Sequence, residues 1–385
     1  MSVLRNHIDK LKPNFEKGGR LHFLRSTAEA AASFLYVPNT VTDKGTHIRD
    51  AIDLKRIMSV VIVALMPALL FGMWNVGFQH YLLIGQTADF WTVFLFGAKN
   101  VLPIIVVSYV TGLGIEFVVA QWRGHEVNEG FLVTGLLIPM IMPVTIPLWM
   151  VALATAFAVI IGKEVFGGTG MNIFNPALLA RAFIFFAYPS YISGDKVWVA
   201  LSSQQDKVID GFSGATSLAQ ASNGAAFSEY QLSDMLMGFV PGSIGETSTI
   251  AILIGGLLLL FTGVASIRIM LSVFAGGLLT GLLFNVVGGT PYLEMPAYYH
   301  LIMGGFAFGA VFMATDPVTS SQTNKGKWIY GFLIGMLAVL IRVFNPAYPE
   351  GMMLAILLMN AFAPLIDYYV VQANINRRLK RMNNE

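Results

Sequence analysis

Long stretches without charge dominate this sequence and restrict what it can fold into. Residues 57–74 contain no charged side chain, and residues 267–287 contain only Arg268. A helix that crosses a membrane needs about 20 mostly apolar residues. Because 55% of the 385 residues are hydrophobic and only 12% are charged, the chain is predicted to be an integral membrane protein.

The hydrophobic pattern predicts about ten transmembrane helices. Their approximate ranges are 57–76, 100–121, 128–142, 148–166, 173–188, 248–265, 267–288, 298–315, 328–345 and 350–372. The stretch 82–96 contains Gln86 and Asp89, and it is expected to lie at the membrane interface rather than to cross. Its polarity is too high for a span of its own.

The positive charges predict which side of the membrane each segment faces. With ten spans and both termini in the cytoplasm, 19 of the 24 Lys and Arg residues lie inside, whereas only Lys99, Lys196 and Lys207 lie outside. Lys and Arg are retained on the cytoplasmic side of membrane proteins. The N-terminal arm also lacks the apolar core and cleavage site of a signal peptide, so it is expected to stay in the cytoplasm.

An internal repeat divides the membrane part into two halves. The segment TGLLIPMIMPVT resembles GAVFMATDPVT, and the prolines Pro143 and Pro317 in these segments are 174 residues apart. Chance similarity between apolar segments is the alternative. Two copies with five spans each must face opposite ways, so the predicted fold is all-α, with two inverted five-helix repeats and broken helices. The expected parts are a cytoplasmic arm, repeat one, an extracytoplasmic loop, repeat two and a basic cytoplasmic tail, at 1–55, 56–188, 189–247, 248–372 and 373–385.

Several classes of redox centre are excluded by the residues that the chain lacks. It contains no cysteine, so it cannot bind a cysteine-ligated iron–sulfur cluster. Its six histidines lie outside the predicted spans or at their ends, which leaves no paired ligands for an intramembrane haem. No metal-ligand spacing, dinucleotide fingerprint or P-loop is present, and no nucleic-acid partner is expected. Any electron carrier in this chain must therefore be organic.

The most specific motif is DGFSGATS at 210–217, in the predicted outer loop. A Gly/Ser turn is the simplest interpretation. The small residues around Thr216 would also let a modifying enzyme bring a bulky phosphate donor to its hydroxyl, which needs activation by a metal-bearing partner. The motif resembles the site at which a flavin transferase joins FMN to threonine through a phosphoester. The expected supporting residues are Asp210, Ser213, Gly214 and Ala215, and the competing acceptors are Ser213 and Ser217.

Six further segments extend this resemblance over nearly the whole chain. They are HIRDAIDLKRIM, HEVNEGF, GKEVFGGTGMNIFNPALLARAF, PGSIGE, FMATDPV and IRVFNPAYPEGMMLAIL. Together they resemble the B-subunit family of the sodium-translocating NADH:quinone oxidoreductase. The resemblance implies a bacterial inner-membrane complex of six subunits in which another chain oxidises NADH. Electrons would pass through covalent FMN and bound riboflavin to quinone, coupled to Na+ export.

The resemblance also suggests where the two flavins bind. Thr216 corresponds to the FMN acceptor, and Asn172 and Asn175 lie in the segment associated with riboflavin. Asparagine amides offer both donors and acceptors, as the edge of a flavin ring requires. The alternative is that Asn175 simply caps a helix that begins at Pro176.

A quinone site is predicted at the cytoplasmic side, near the second span and the amphipathic end of the N-terminal arm. Gly112 and Gly114 would leave a notch that a flat ring can enter. Close packing of helices is the alternative reason for glycines in a membrane helix.

Two acids inside the spans suggest a sodium route. Glu116 and Asp367 each lie five residues before a predicted cytoplasmic end, about 8 Å inside the boundary. An intramembrane acid is costly unless it is paired, hydrated or bound to an ion. The alternative is that both acids reach the interface or pair with tail residues such as Arg377. Asp316 and Glu164 are weaker candidates because they lie at span ends.

Two other functions remain compatible with parts of the sequence. The D subunit of the ferredoxin-driven Rnf pump shares the flavinylation motif, although the long basic arm and the RDAIDLKRIM stretch favour the quinone-reducing complex. A passive solute channel could also use an inverted repeat. A covalent flavin would separate the redox subunits from the channel.

Overall fold

The computed structural model describes residues 44–45, 54–124, 130–195, 197–201, 214–222, 230–290, 292–345 and 351–382. Every regular element in these ranges is a helix, as predicted. The α-helices are α1 Leu54–Leu83, α2 Phe90–Arg123, α3 Phe131–Met140, α4 Leu148–Val159, α5 Pro176–Ala187, α6 Ser217–Ser222, α7 Leu232–Met237, α8 Thr249–Phe261, α9 Ile267–Val287, α10 Tyr299–Ile302, α11 Phe306–Phe308, α12 Asn324–Phe344 and α13 Met352–Met382. Two π-helical turns, Ile160–Glu164 and Gly309–Met313, follow α4 and α11.

Five helices in the described part of the chain are long and apolar enough to cross a membrane: α1, α2, α9, α12 and α13. Shorter apolar helices are α3, α5 and α8. Each of the ten predicted spans overlaps one or more of the observed helices. The chain is therefore a multi-pass helical membrane protein, whereas the count of ten crossings, the inverted orientation of the two repeats and the domain boundaries stay predictions.

The second long helix begins earlier than its hydrophobicity suggests. α1 continues to Leu83 and α2 starts at Phe90, so most of the stretch expected at the interface is helical. Asp89 is the N-cap of α2, and its carboxylate accepts hydrogen bonds from the hydroxyl and the backbone N–H of Thr92. These two bonds hold the pKa of the Asp89 carboxyl below its usual value. The acid that makes this stretch look interfacial thus starts the helix.

Irregular backbone interrupts the helices of both halves near prolines. α3 ends at Met140, and α4 begins only after Pro147. The PGSIGE segment at 241–246 enters this gap: Gly245 N–H donates to Met140 O at 2.7 Å, and Ile244 N–H donates to Met142 O at 3.4 Å. The protein therefore satisfies backbone groups that lipid could not.

The second half breaks near Pro317. There α10, α11 and the turn Gly309–Met313 replace one continuous helix.

Glycines bring the long helices into close contact. A Cβ at Gly335 of α12 would overlap the carbonyl oxygen of Val273 in α9, and one at Gly97 of α2 would overlap that of Met73 in α1. Small residues at helix contacts allow the backbones of membrane helices to approach closely. α1 thus packs closely against α2 in the first half, and α9 packs closely against α12 in the second half.

The last helix is longer than a bilayer core. The 31 residues of α13 span about 46 Å, compared with about 30 Å for the hydrocarbon region. Its end, residues 371–382, is exposed throughout and carries four basic side chains: Arg377, Arg378, Lys380 and Arg381. This end therefore projects beyond the packed bundle.

Candidate functional sites

A cavity of about 100 Å³ lies between the two halves, at the end of the bundle that is predicted to face the cytoplasm. Its walls come from residues 57–61, 130–137 and 163–176 of the first half, and from 259–265 and 312–318 of the second. Most of the lining is apolar. The side chains of Lys163, Asn172, Asn175 and Asp316 supply polar groups.

Asn175 is both a helix cap and part of this cavity wall. Its Oδ1 accepts hydrogen bonds from Ala177 N at 3.0 Å and from Leu178 N at 3.3 Å, with Pro176 in the first turn of α5. Its Nδ2 donates to Asp316 Oδ2 at 3.3 Å. Among the described residues the carboxamide makes no other hydrogen bond, so one N–H can donate to a ligand. The cap and the ligand role are therefore compatible.

Asp316 and Asn172 complete the polar part of the wall. Asp316 also accepts hydrogen bonds from Val318 N at 3.0 Å and from the Thr319 hydroxyl at 3.1 Å, which fix its carboxylate within the Asp-Pro break. The bond from Asn175 Nδ2 then ties this break to the start of α5. Asn172 is buried, and its Nδ2 donates to Phe174 O at 3.0 Å. This arrangement offers donors and acceptors against apolar walls, as the polar edge and apolar rings of a flavin require.

Glu116 belongs to a buried charge cluster beside the cavity. Its carboxylate pairs with the ammonium of Lys163, and each residue is only 4% exposed. Glu164 lies next to this pair and is also buried. Its Oε2 is 3.8 Å from Arg123 Nη1 but makes no hydrogen bond within the described residues. The partner of Glu116 is therefore Lys163 rather than a tail arginine.

Asp367 has different surroundings from Glu116. Its carboxylate accepts hydrogen bonds from the Ser321 hydroxyl at 2.6 Å, from Gln322 N at 2.7 Å, and from both the backbone N–H and the hydroxyl of Thr323 at 2.9 and 2.6 Å. Thr323 is the N-cap of α12. Asp367 thus connects α13 to the start of α12. Within the described ranges, the carboxylates of Asp367 and Glu116 have no hydrogen-bond partner in common.

Gly112 and Gly114 lie on different faces of α2. Gly112 is buried, and a Cβ there would overlap the ring of Phe131. Gly114 is exposed and has no heavy atom within 4 Å of an added Cβ. The notch at Gly112 is thus filled by this chain's own phenylalanine, whereas the one at Gly114 is open.

Thr216 lies at the start of α6, at the opposite end of the bundle. It is half-buried, and its Oγ1 accepts a hydrogen bond from Ala219 N at 3.2 Å. Gly214 and Ala215 before it are buried, whereas Asp210 and Ser213 lie outside the described residues. The small neighbours therefore hold the threonine against the protein with its side chain accessible.

A small cavity of about 30 Å³ opens beside Thr216. Trp198, residues 240–243 and Glu246 are part of its wall. Arg181 of α5 holds this wall, because its guanidinium donates to Ser243 Oγ at 3.3 Å and to Glu246 Oε1 at 3.0 Å. About half of α5 therefore lies between the two groups, with Asn175 as its N-cap and Arg181 near its middle.

Lys163 and Arg181 are site residues that sequence reasoning missed. Both are basic residues within or at the edge of apolar segments, where a charge requires a partner. That requirement is visible in the sequence. The identity of the partners is not, because Glu116 is 47 residues from Lys163 and Glu246 is 65 residues from Arg181.

Comparison with known proteins connects these features to one family. The profile of the NQR2, RnfD, RnfE family matches residues 41–376. The chain is 50% identical to the B subunit of the Na(+)-translocating NADH-quinone reductase of Chromohalobacter salexigens, over 98% of this chain and 96% of that protein. It is 50% identical to the corresponding subunit of Ectopseudomonas mendocina and 49% identical to that of Azotobacter vinelandii, in each case over 98% of this chain and 99% of the relative. The chain therefore belongs to the NQR2, RnfD, RnfE family.

Proposed function

We propose that this chain is the membrane-embedded B subunit of a Na+-translocating NADH-quinone reductase, in which it carries flavins and passes electrons to quinone. The observation that carries this proposal is the near-full-length identity of about half the residues to proteins with that name. The same identity favours the B subunit over the D subunit of an Rnf-type complex and over a solute channel. The chain has no fuel-binding motif of its own, so its partners in a six-subunit complex supply electrons from NADH.

Thr216 is the proposed site of covalent FMN. Support comes from the DGFSGATS motif and from the position of Thr216, which is half-buried and lines a small cavity. A flavin transferase would form the phosphoester: Oγ1 would lose its proton and attack the flavin-side phosphorus of a flavin adenine dinucleotide, the pyrophosphate bond would break, and AMP would leave. The bound flavin supplies one-electron and two-electron redox chemistry, while Glu246, held by Arg181, gives its surroundings a fixed wall.

Replacing Thr216 by alanine is expected to remove the covalent flavin. Denaturing gels of the complex, co-expressed with the transferase, would show a fluorescent band for the unmodified chain and none for Thr216→Ala. Ser217→Ala is the matched control and should keep the band. Peptide mapping that locates flavin on Ser213 or Ser217, or that finds an unmodified Thr216 in active complex, would contradict the assignment.

Riboflavin is proposed to bind at the cavity of about 100 Å³, which has room for one edge of its ring system and not for the whole molecule. Asn172 and Asn175 would hold its polar edge, and the apolar walls would cover its rings. The unused N–H of the Asn175 carboxamide supports this role. Residues of this chain would bind and orient the flavin and keep water from it.

Quinone is proposed to bind near Gly112 and Gly114, at the cytoplasmic end of α2. The open surface at Gly114 supports contact with a flat ring from the lipid side. Gly112 would act indirectly, because it allows Phe131 to pack against α2.

Sodium is proposed to enter the protein past Glu116 and Asp367. Carboxylate oxygens suit a hard cation such as Na+. Both carboxylates are engaged in the structure, Glu116 by Lys163 and Asp367 by the residues before α12. A cation at either site must therefore replace or join these partners.

The remaining parts of the proposal concern location. The chain would lie in the bacterial inner membrane with both termini in the cytoplasm, Thr216 outside, and the larger cavity near the cytoplasm. The 19 Lys and Arg residues assigned to the inner side support this orientation.

A further inference from the structure

Lys163 is the unusual member of the buried charge cluster. Its ammonium contacts the carboxylate of Glu116. The next residue in the chain, Glu164, brings a second buried carboxylate into the cluster. Glu164 is 6% exposed, and its Oε2 has no hydrogen-bond donor among the described residues. Arg123 Nη1 lies 3.8 Å from this oxygen but donates no hydrogen bond to it, so the oxygen is buried and keeps its lone pairs for a cation.

The backbone explains how two consecutive charged residues come to face the same interior. Lys163 and Glu164 end the π-helical turn Ile160–Glu164, in which Val165 N–H donates to Ile160 O at 3.0 Å. This wider turn reduces the rotation between neighbouring side chains relative to an α-helix. Such turns recur at functional sites in proteins.

The Lys163 side chain can also extend towards the larger cavity. Lys163 also lines the cavity of about 100 Å³ that Asn172 and Asn175 border. Four flexible carbons carry its ammonium, so rotation about side-chain bonds can move the charge without moving the backbone. The ring of Phe131, 6.0 Å from Nζ, provides a surface that attracts the ammonium near its present position.

We propose that the Lys163 ammonium is a tethered competitor for a monovalent cation at the Glu116 carboxylate. Without the cation, the ammonium neutralises Glu116. When Na+ binds Glu116, with Glu164 as a second oxygen ligand, the ammonium turns towards the cavity. This inference rests on the proposed role of Glu116 in the sodium route. It links sodium occupancy to positive charge at the cavity wall.

Two substitutions at Lys163 should change sodium binding in opposite directions. Lys163→Met removes the competing charge but keeps the length of the side chain. Its expected effect is a decrease of about tenfold in the Na+ concentration for half-maximal binding, which corresponds to about 1.4 kcal/mol of competition. Lys163→Arg should raise that concentration several-fold, because a guanidinium holds a carboxylate with two hydrogen bonds. Lys99→Met, at an exposed position of α2, is the matched control and should change nothing.

The measurement uses the purified complex, with choline replacing Na+ at constant ionic strength and mildly alkaline pH to limit proton competition. The thermal unfolding midpoint is followed against NaCl concentration, because a cation that binds the folded state raises it. Equilibrium binding of radioactive sodium provides a second readout. If Lys163→Met does not assemble, the Lys163→Arg variant still tests the sign of the effect.

The outcomes separate this inference from the proposed sodium route. Glu116→Gln should weaken the Na+ response, and an unchanged response would show that Glu116 does not bind sodium. If Glu116→Gln weakens the response but Lys163→Met leaves half-saturation unchanged or raised, or Lys163→Arg lowers it, only the competitor role is wrong. Opposite shifts in the two Lys163 variants, together with an unchanged Lys99→Met, support it.

Discussion

The carboxamide of Asn175 serves two parts of the protein at once. Its oxygen caps α5, and its nitrogen reaches Asp316 in the other half of the chain. A change at this residue therefore alters helix stability, the contact between the halves and the cavity wall together. Asn172, which donates only to Phe174 O among the described residues, gives a simpler test of the ligand role.

Substitution of either asparagine is expected to release riboflavin while covalent FMN stays on Thr216. Asn175→Ala should also lower stability by about 1 kcal/mol because it removes the helix cap. Asn175→Asp keeps the capping oxygen but puts a second carboxylate beside Asp316, so it should lose riboflavin through repulsion. Flavin extracted with acid and quantified by chromatography measures riboflavin, and gel fluorescence measures FMN.

An asparagine outside the cavity supplies the control for these variants. Asn100 donates its Nδ2 to Phe96 O at 2.9 Å within α2 and is absent from the cavity wall. Asn100→Ala should leave riboflavin content unchanged. Unchanged riboflavin in the Asn172 and Asn175 variants would place the flavin elsewhere.

At the scale of single elements, α2 presents two unlike faces to its surroundings. One face carries Gly112 and Glu116 and packs on the protein, because Phe131 fills the first position and Lys163 pairs with the second. The other face carries Gly114 and is exposed. Residues two apart on a helix point in nearly opposite directions, so the two glycines cannot form one notch.

The two glycines of α2 should therefore respond differently to added bulk. Gly112→Ala is expected to destabilise the protein by about 1–3 kcal/mol, because its methyl group would force Phe131 to move. Gly114→Ala meets no atom and should be neutral or stabilising by up to about 1 kcal/mol. Thermal unfolding of the complex measures both effects.

Quinone binding is tested on the same helix with a larger residue. Gly114→Val should raise the KM for quinone while NADH oxidation with an artificial acceptor stays normal. If bulk at both glycines leaves quinone reduction and its inhibitor sensitivity intact, the quinone site lies away from α2.

Hydrophobicity is enough to predict the helices but not the contacts between them. Each predicted span overlaps observed helix, and the prolines at 143, 147 and 317 lie in irregular backbone. Pro139, which is also expected to interrupt its segment, lies inside α3 instead. The start of α2 escapes prediction because Asp89 looks interfacial in the sequence, whereas it caps the helix. In the site, the cap at Asn175 follows from local sequence. The pairing of Lys163 with Glu116 does not, because it depends on how α2 packs against the turn after α4.

At the scale of the whole molecule, the described sites lie at two ends of one helical bundle. The proposed orientation puts Thr216 outside and Glu116, Asn175 and Asp367 near the cytoplasm. Charge distribution alone carries that orientation, since 19 Lys and Arg residues would lie inside. An independent measurement of the two sides is therefore needed.

Single cysteines provide that measurement, because the natural chain contains none and gives no background. Ser193→Cys lies at an exposed position after α5 and should react with a membrane-impermeant maleimide in intact cells. Asn376→Cys lies on the exposed end of α13 and should react only in inverted vesicles. Labelling of Asn376→Cys from outside would reverse the proposed orientation.

The projecting end of α13 has a consequence for how deeply the protein sits in the lipid. In the proposed orientation its four cations reach the anionic headgroups, where each contributes about 1 kcal/mol of attraction. Movement of α13 along the membrane normal, in either direction, would take these four basic side chains away from the headgroup layer. Asp367 is ten residues before Arg377, about 15 Å along the same rigid helix. These four cations therefore hold α13 at one depth in the membrane and so set the distance of the Asp367 carboxylate from the membrane surface.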